Sequence, residues 1–129
     1  MSTFQSFTEI EALQKARELT FEIYGVTKRA PFSRDFELRG QIREASVSVM
    51  SNIAEGFDRN GTGEFIQFLS VAKGSAAEVA SQLYVALDQK YITQEEFARL
   101  CSLATEAGRK IGALMRYLRK SGIRGAKFR

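Results

Sequence analysis

Four polar residues in the middle of the chain have the types and spacing for chemistry. Asn52, Glu55, Ser75 and Glu78 stand beside or within apolar helical stripes, where a plain bundle core takes Leu or Ala. Polar groups at such positions are normally paired. Two chemistries are open to them. A Glu55/Glu78 carboxylate pair could do acid/base work, or the group could form a hydrogen-bond network that fixes helix register. Ser48 and Asn52 are four apart and share a helix face, and Ser75 and Glu78 are three apart on the next helix. Folding back through the Arg59-Asn60-Gly61 turn brings Ser48 towards Ala72 or Ser75, and Asn52 towards Phe68. Asn52 then bonds a backbone carbonyl or Ser48, and Glu78 accepts from Ser75 or from a base on another helix. The same geometry puts Glu55 and Glu78 at different heights, and no nucleophile or metal shell accompanies them. The expectation is a structural polar network of Ser48, Asn52, Glu55, Arg59, Ser75 and Glu78, with Arg59 complementing the dipole at a helix end.

The second constellation is electrostatic. The formal net charge is +4, and it is unevenly placed. Residues 92–129 carry nine bases and three acids, and from Arg109 onward there are eight bases and no acid. On a helix advancing about 100° per residue, Arg116 and Lys120 fall within roughly 20° either side of Arg109, along one line. Ala107, Ile111, Leu114 and Leu118 lie on the opposite side. Gly112 and Ala113 leave the stripe open to close approach by a phosphate backbone. A one-sided basic end fits a polyanion or an acidic protein surface. The expected nucleic-acid-binding set is Arg109, Lys110, Arg116, Arg119, Lys120, Arg124, Lys127 and Arg129. Tyr117 and Phe128 offer faces for base stacking, but two aromatics match no known stacking module.

Composition excludes much else. Histidine is absent, which removes the commonest general base and metal ligand, serine–histidine and cysteine–histidine catalysis, and di-iron sites built on Glu-x-x-His. No catalytic residue, metal or cofactor is expected. The single cysteine, Cys101, cannot form an intramolecular disulfide. It reads as a small buried hydrophobe and fits a reducing, cytoplasmic setting. The N-terminal segment lacks a basic region followed by an apolar run, so no signal peptide is expected. No apolar run approaches the roughly 20 residues that span a bilayer.

At 129 residues, with 44% apolar residues, the chain makes one modest core. Four segments repeat apolar residues at spacings of three and four. Ala12, Ala16, Leu19, Ile23 and Val26 mark a helix over about 8–28, with Thr8 or a Ser6/Glu9 box at its start. Ala30-Pro31 breaks it. Ser33 is the expected cap of a second helix running to about Asp58. That helix has two adjacent seams: Leu38, Ile42, Ala45, Val49, Asn52 and Gly56, and beside it Ser46, Met50, Ile53 and Phe57. Thr62 is the expected cap of a third helix to about Lys90, with Phe65, Leu69, Ala72, Ala76, Val79, Leu83 and Ala86 as its seam. Its mid-helix Gly74 costs up to about 1 kcal/mol against alanine, which predicts a close backbone approach there. Thr93 and Glu96 form a capping box for a fourth helix to about Ser121, with the seam Phe97, Leu100, Ala104, Ala107, Ile111, Leu114 and Leu118. Short connections between long helices predict an all-α, antiparallel, up-down-up-down four-helix bundle over residues 1–121. Residues 122–129 read as a basic, mobile tail.

Several of these residues also carry a resemblance. The run Ser48-Val49-Met50-Ser51-Asn52-Ile53-Ala54-Glu55-Gly56, then Arg59, Glu64-Phe65, Phe68-Leu69, Ala72-Lys73-Gly74-Ser75 and Glu78, resembles the four-helix-bundle family encoded in intervening sequences of bacterial 23S ribosomal RNA genes. Gln14-Lys15-Ala16-Arg17-Glu18-Leu19 and Tyr91-Ile92 match too, and the resemblance covers about residues 7–120. Leu13 stands where that family commonly has tryptophan. Met50 stands where proline is frequent, so the second helix is expected to be straighter. The resemblance implies a bundle that assembles as a ring-shaped homopentamer. A distantly similar protein, the accessory protein of diversity-generating retroelements, is basic and binds nucleic acid and a reverse transcriptase. By that analogy the chain is expected to be a non-enzymatic, nucleic-acid-associated scaffold, with self-association and RNA or DNA as its partners. The alternative is a protein-interaction scaffold docking an acidic partner such as a polymerase or reverse transcriptase. Fivefold assembly would repeat the basic stripe five times.

Overall fold

The structure, a computed structural model, describes residues 10–121. The expected Ser6/Glu9 and Thr8 caps and the expected tail at 122–129 lie outside these residues. Among the described residues every regular element is helical: α1 (Glu11–Thr27), a short 3-10 turn (Phe32–Arg34), α2 (Phe36–Phe57), α3 (Thr62–Asp88) and α4 (Gln94–Ser121). Each helix packs against its neighbours in sequence, and α1 also packs on α4.

Every expected seam residue of α1 and α3 is buried. On α2 the polar Asn52 is half-buried, and on α4 Phe97 and Leu114 are half-buried. Leu13, Thr27, Met115 and Gly112 complete the buried set on α1 and α4. The core falls into two clusters. One gathers Leu13, Ala16, Val49, Ile53, Phe65, Leu69, Ile111 and Leu118. The other gathers Leu19, Ile23, Phe32, Leu38, Ile42, Leu83 and Leu100. Small buried residues, among them Ala16, Ala45, Ala76 and Ala104, lie where the clusters meet along the helices. There Thr20 Oγ1 donates to the carbonyls of Ala16 (2.8 Å) and Ser46 (3.2 Å), tying α1 to α2.

Two helix starts differ from expectation. Asp35, not Ser33, caps α2, its Oδ1 accepting from the Leu38 N–H at 3.1 Å. Ser33 sits in the 3-10 turn, where its carbonyl accepts from Arg39 Nη1 at 2.8 Å. A carboxylate is the stronger acceptor for an orphan helix N–H, and the other Asp35 oxygen accepts from Tyr91 Oη at 2.9 Å. Tyr91 in turn stacks on the buried Phe32 ring. Thr62 is the first residue of α3, with Gly61 as N-cap. The α4 capping box forms as expected: the Thr93 N–H donates to Glu96 Oε1 at 2.9 Å, and the Glu96 N–H donates to Thr93 Oγ1 at 3.1 Å. Arg29 makes a two-pronged ion pair with the same carboxylate, at 2.6 and 2.8 Å. Hydrogen bonding from that guanidinium, reinforced by Thr93 and opposed by partial burial, holds the Glu96 carboxyl down at about 2.

The close backbone approach expected at Gly74 occurs at Gly56 instead. A Cβ on Gly56 would lie 2.7 Å from Phe68 Cβ and 2.8 Å from Phe65 Cδ1, so α3 crosses directly over it. Gly74 is on the exposed side of α3, and nothing lies within 4 Å of its Cβ position. The two glycines should therefore respond with opposite sign. In urea unfolding, Gly56→Ala is expected to destabilise by about 1–3 kcal/mol through overpacking, whereas Gly74→Ala is expected to stabilise by up to about 1 kcal/mol through helix propensity. Equal effects of one sign would contradict this packing.

Candidate nucleic-acid interface

Of the two constellations, the polar one divides. Ser48 Oγ and Ser75 Oγ are 2.9 Å apart, joining α2 to α3. Asn52 Nδ2 donates to the Ser48 carbonyl at 2.9 Å and to Ser48 Oγ at 3.0 Å. These three residues form one network within a single chain. The other three expected members stand apart from it. Glu55 is exposed. Glu78 is exposed too and accepts from Gln82 Nε2 at 3.2 Å, one turn along its own helix, rather than from Ser75 or a base. Arg59 lies over the Phe68 ring, 4.9 Å from its centre. The cause is angular: Glu55 and Glu78 lie one helical step outside the α2–α3 seam that buries Gly56, Ser75 and Val79.

The electrostatic constellation gains a member. A groove of about 440 Å³ runs between α3 and α4. Its walls are Lys73, Ala76, Ala77 and Ala80 from α3, and Ala104, Thr105, Gly108, Arg109, Gly112 and Arg116 from α4. Small residues on both sides keep the helices' facing surfaces low, and long cationic side chains rise at one end. A Cβ on Gly112 would lie 3.5 Å from Arg116 Nη1 and 3.7 Å from Lys73 Nζ. Two cations from different helices thus converge over the bare Gly112 backbone. Lys73 was missing from the expected set. The only signal available was its place beside Gly74 in a small-residue patch, which gives no angle relative to α4.

Arg116 also lines a shallower dish on the outer face of α4, with Ala113, Tyr117, Arg119 and Lys120. The groove and the dish therefore form one continuous basic surface. Lys110 is not part of it. It points towards α1, where its Nζ meets Glu11 Oε1 at 3.0 Å, because one residue beyond Arg109 turns it about 100° around the helix. Arg124, Lys127 and Arg129 lie outside the described residues.

Several cations outside this surface have partners. Arg29, Arg99 and Lys15 face Glu96, Glu22 and Glu106 respectively. Arg43 donates to Thr27 Oγ1 and lies over the Tyr24 ring. Among the described residues, no carboxylate forms an ion pair with Lys73, Arg109, Arg116, Arg119 or Lys120. No group of three or more Cys, Asp and Glu side chains there gathers as a metal site. Cys101 is half-buried, and burial pushes its thiol up.

An all-helical bundle with an unpaired basic groove is the class of protein these features define. The chain belongs to the 23S rRNA-intervening sequence protein family, whose description matches residues 8–113. A crystal structure from Bacteroides thetaiotaomicron VPI-5482, of a protein with unknown function from the S23 ribosomal protein family, is similar with a TM-score of 0.76. It shares 23% identity, and the match covers 81% of this chain and 98% of that one. At that identity the likeness is one of fold. No curated protein matches the chain. No described helix is long and apolar enough to cross a membrane.

The Ser48–Ser75 contact gives a direct check on the seam. A double-mutant cycle with Ser48→Ala and Ser75→Ala is expected to show a coupling of about 0.5–1.5 kcal/mol in chemical denaturation, the range for a partly buried hydrogen bond. Additive effects would mean that the two hydroxyls do not meet.

Proposed function

We propose that the chain is a non-enzymatic, oligomeric scaffold that binds the phosphate backbone of RNA or DNA through the surface formed by Lys73, Arg109, Arg116, Arg119 and Lys120. One observation carries this reading. These five cations gather on one face of α3 and α4 with no described carboxylate paired to them, whereas Lys15, Arg29, Arg99 and Lys110 pair with Glu side chains and Arg39, Arg43 and Arg59 lie over aromatic rings. A phosphate backbone supplies the missing anions, and releasing its counterions makes such binding favourable, sequence-tolerant and salt-sensitive. In this reading the helices alternate up and down, five copies close a ring, and the ring multiplies the basic face.

The test is binding of an unstructured single-stranded RNA with light scattering on the same samples. Neutralising three to five phosphates predicts an affinity loss of about 20- to 100-fold between 50 and 200 mM salt. Arg116→Glu with Lys120→Glu should weaken binding at least about tenfold, since each reverses a contact charge. The scattering mass should be a multiple of the 14.5 kDa chain. Salt-independent binding, or none at micromolar protein, would overturn the nucleic-acid reading and favour an acidic protein as the docking partner. A monomer mass would overturn the assembly.

A further inference from the structure

The groove between α3 and α4 differs from the open dish beside it, and the difference concerns what kind of phosphate it takes. At one end, Arg116 Nη1 and Lys73 Nζ each lie within 4 Å of a single point above Gly112, and Arg109 lines the same groove. Because Gly112 has no side chain, the two cationic groups can lie close over its backbone. Away from it the walls are Ala76, Ala77 and Ala80 opposite Ala104 and Gly108, an uncharged, largely apolar trough. Thr105 to Gly112 spans about 10 Å along α4, comparable with the length of one nucleotide. The groove's volume of about 440 Å³ falls within the range of small-ligand sites. The dish on the outer face of α4 differs in both respects, since its cations, Arg116, Arg119 and Lys120, all come from one helix.

Charge matching distinguishes the candidate ligands. An internal phosphodiester carries one negative charge per phosphate. A phosphate monoester carries about 1.5 to 2 negative charges near neutral pH and offers three acceptor oxygens. Lys73 and Arg116 converging from two helices on one end of the groove, with Arg109 lining the same groove, match the monoester better than the diester, because charge-assisted bonds from several directions need several free oxygens. The apolar trough leading away from the cations then fits the nucleoside attached to that phosphate, whose faces lose little by leaving water.

We propose that this groove is a binding site for a nucleoside monophosphate group, with the phosphate held by Lys73 and Arg116 at the Gly112 end, Arg109 adding positive charge along the groove, and the nucleoside along the alanine trough. Free nucleotides and the 5′-phosphorylated ends of strands present the same group. The inference rests on the reading of this surface as phosphate-binding, and adds to it a preference for ends over internal backbone.

The experiment compares two RNA strands of one sequence, 5′-phosphorylated and 5′-hydroxyl, by fluorescence anisotropy at fixed salt. The phosphorylated strand should bind about tenfold more tightly, and Lys73→Gln should collapse that ratio to about one. Adenosine monophosphate should displace the phosphorylated strand at lower concentration than inorganic phosphate does. Displacement by the mononucleotide at micromolar levels assigns the site to free nucleotides. Displacement only at millimolar levels assigns it to strand ends. Equal affinity of the two strands, salt-sensitive in both, would overturn the inference while leaving backbone binding intact. Absence of binding by either strand would overturn both. A mononucleotide no better than inorganic phosphate would overturn the role of the trough.

Discussion

The packing of α3 against α4 is the constraint on which the basic groove depends. Lys73 and Arg116 reach the same point above Gly112 from different helices. Like charges brought towards one point repel each other, and Arg109 lines the same groove. A helix surface with freedom to choose would turn those side chains apart or place a glutamate between them, as it does at Arg29–Glu96 and Lys110–Glu11. What keeps the cations together is the α3–α4 seam. Alanine and glycine on both sides set the depth of the groove, and the buried Ala76, Ala104 and Ala107 lock the two helices in register beneath it.

The remainder of the fold serves to hold α3 in that position. Gly56 lets α2 and α3 come into backbone contact at one end of their seam. The Ser48–Ser75–Asn52 network fixes their register further along, two residues from Lys73. At the far end of α2, Asp35 accepts from both Leu38 and Tyr91, so the start of that helix is tied to the segment that leads into α4. The motif richest in polar residues therefore acts at a distance from the basic surface. It sets where α3 lies, and so where Lys73 ends.

Most of the helical architecture could be read from the sequence because periodicity of apolar residues reports directly on burial. Every seam residue named for α1 and α3 is inside. The capping box at Thr93–Glu96 was legible for the same reason, since both halves of a local motif are three residues apart. What could not be read depends on distances across helices. Gly74 and Gly56 look alike in sequence, and only the crossing of α3 over α2 shows that one is needed and the other is free. Glu55 and Glu78 sit one step off a seam, a rotation that spacing alone places too coarsely. Lys110 looked like part of a basic run, but Glu11 is ninety-nine residues away in sequence. Lys73 and Arg116 belong to different helices, so no stripe drawn on one helix could join them.

The most direct test of the central claim is an amide chemical-shift titration of the intact protein with inorganic phosphate at constant ionic strength, chloride being exchanged for phosphate. A built anion site predicts that the largest, saturable shifts cluster at Gly112 and its neighbours Ala113 and Arg116, and at Lys73 and Gly74 across the groove. Shifts of equal size at exposed cations elsewhere, such as Lys28 and Lys90, or no saturable shift at Gly112, would contradict it.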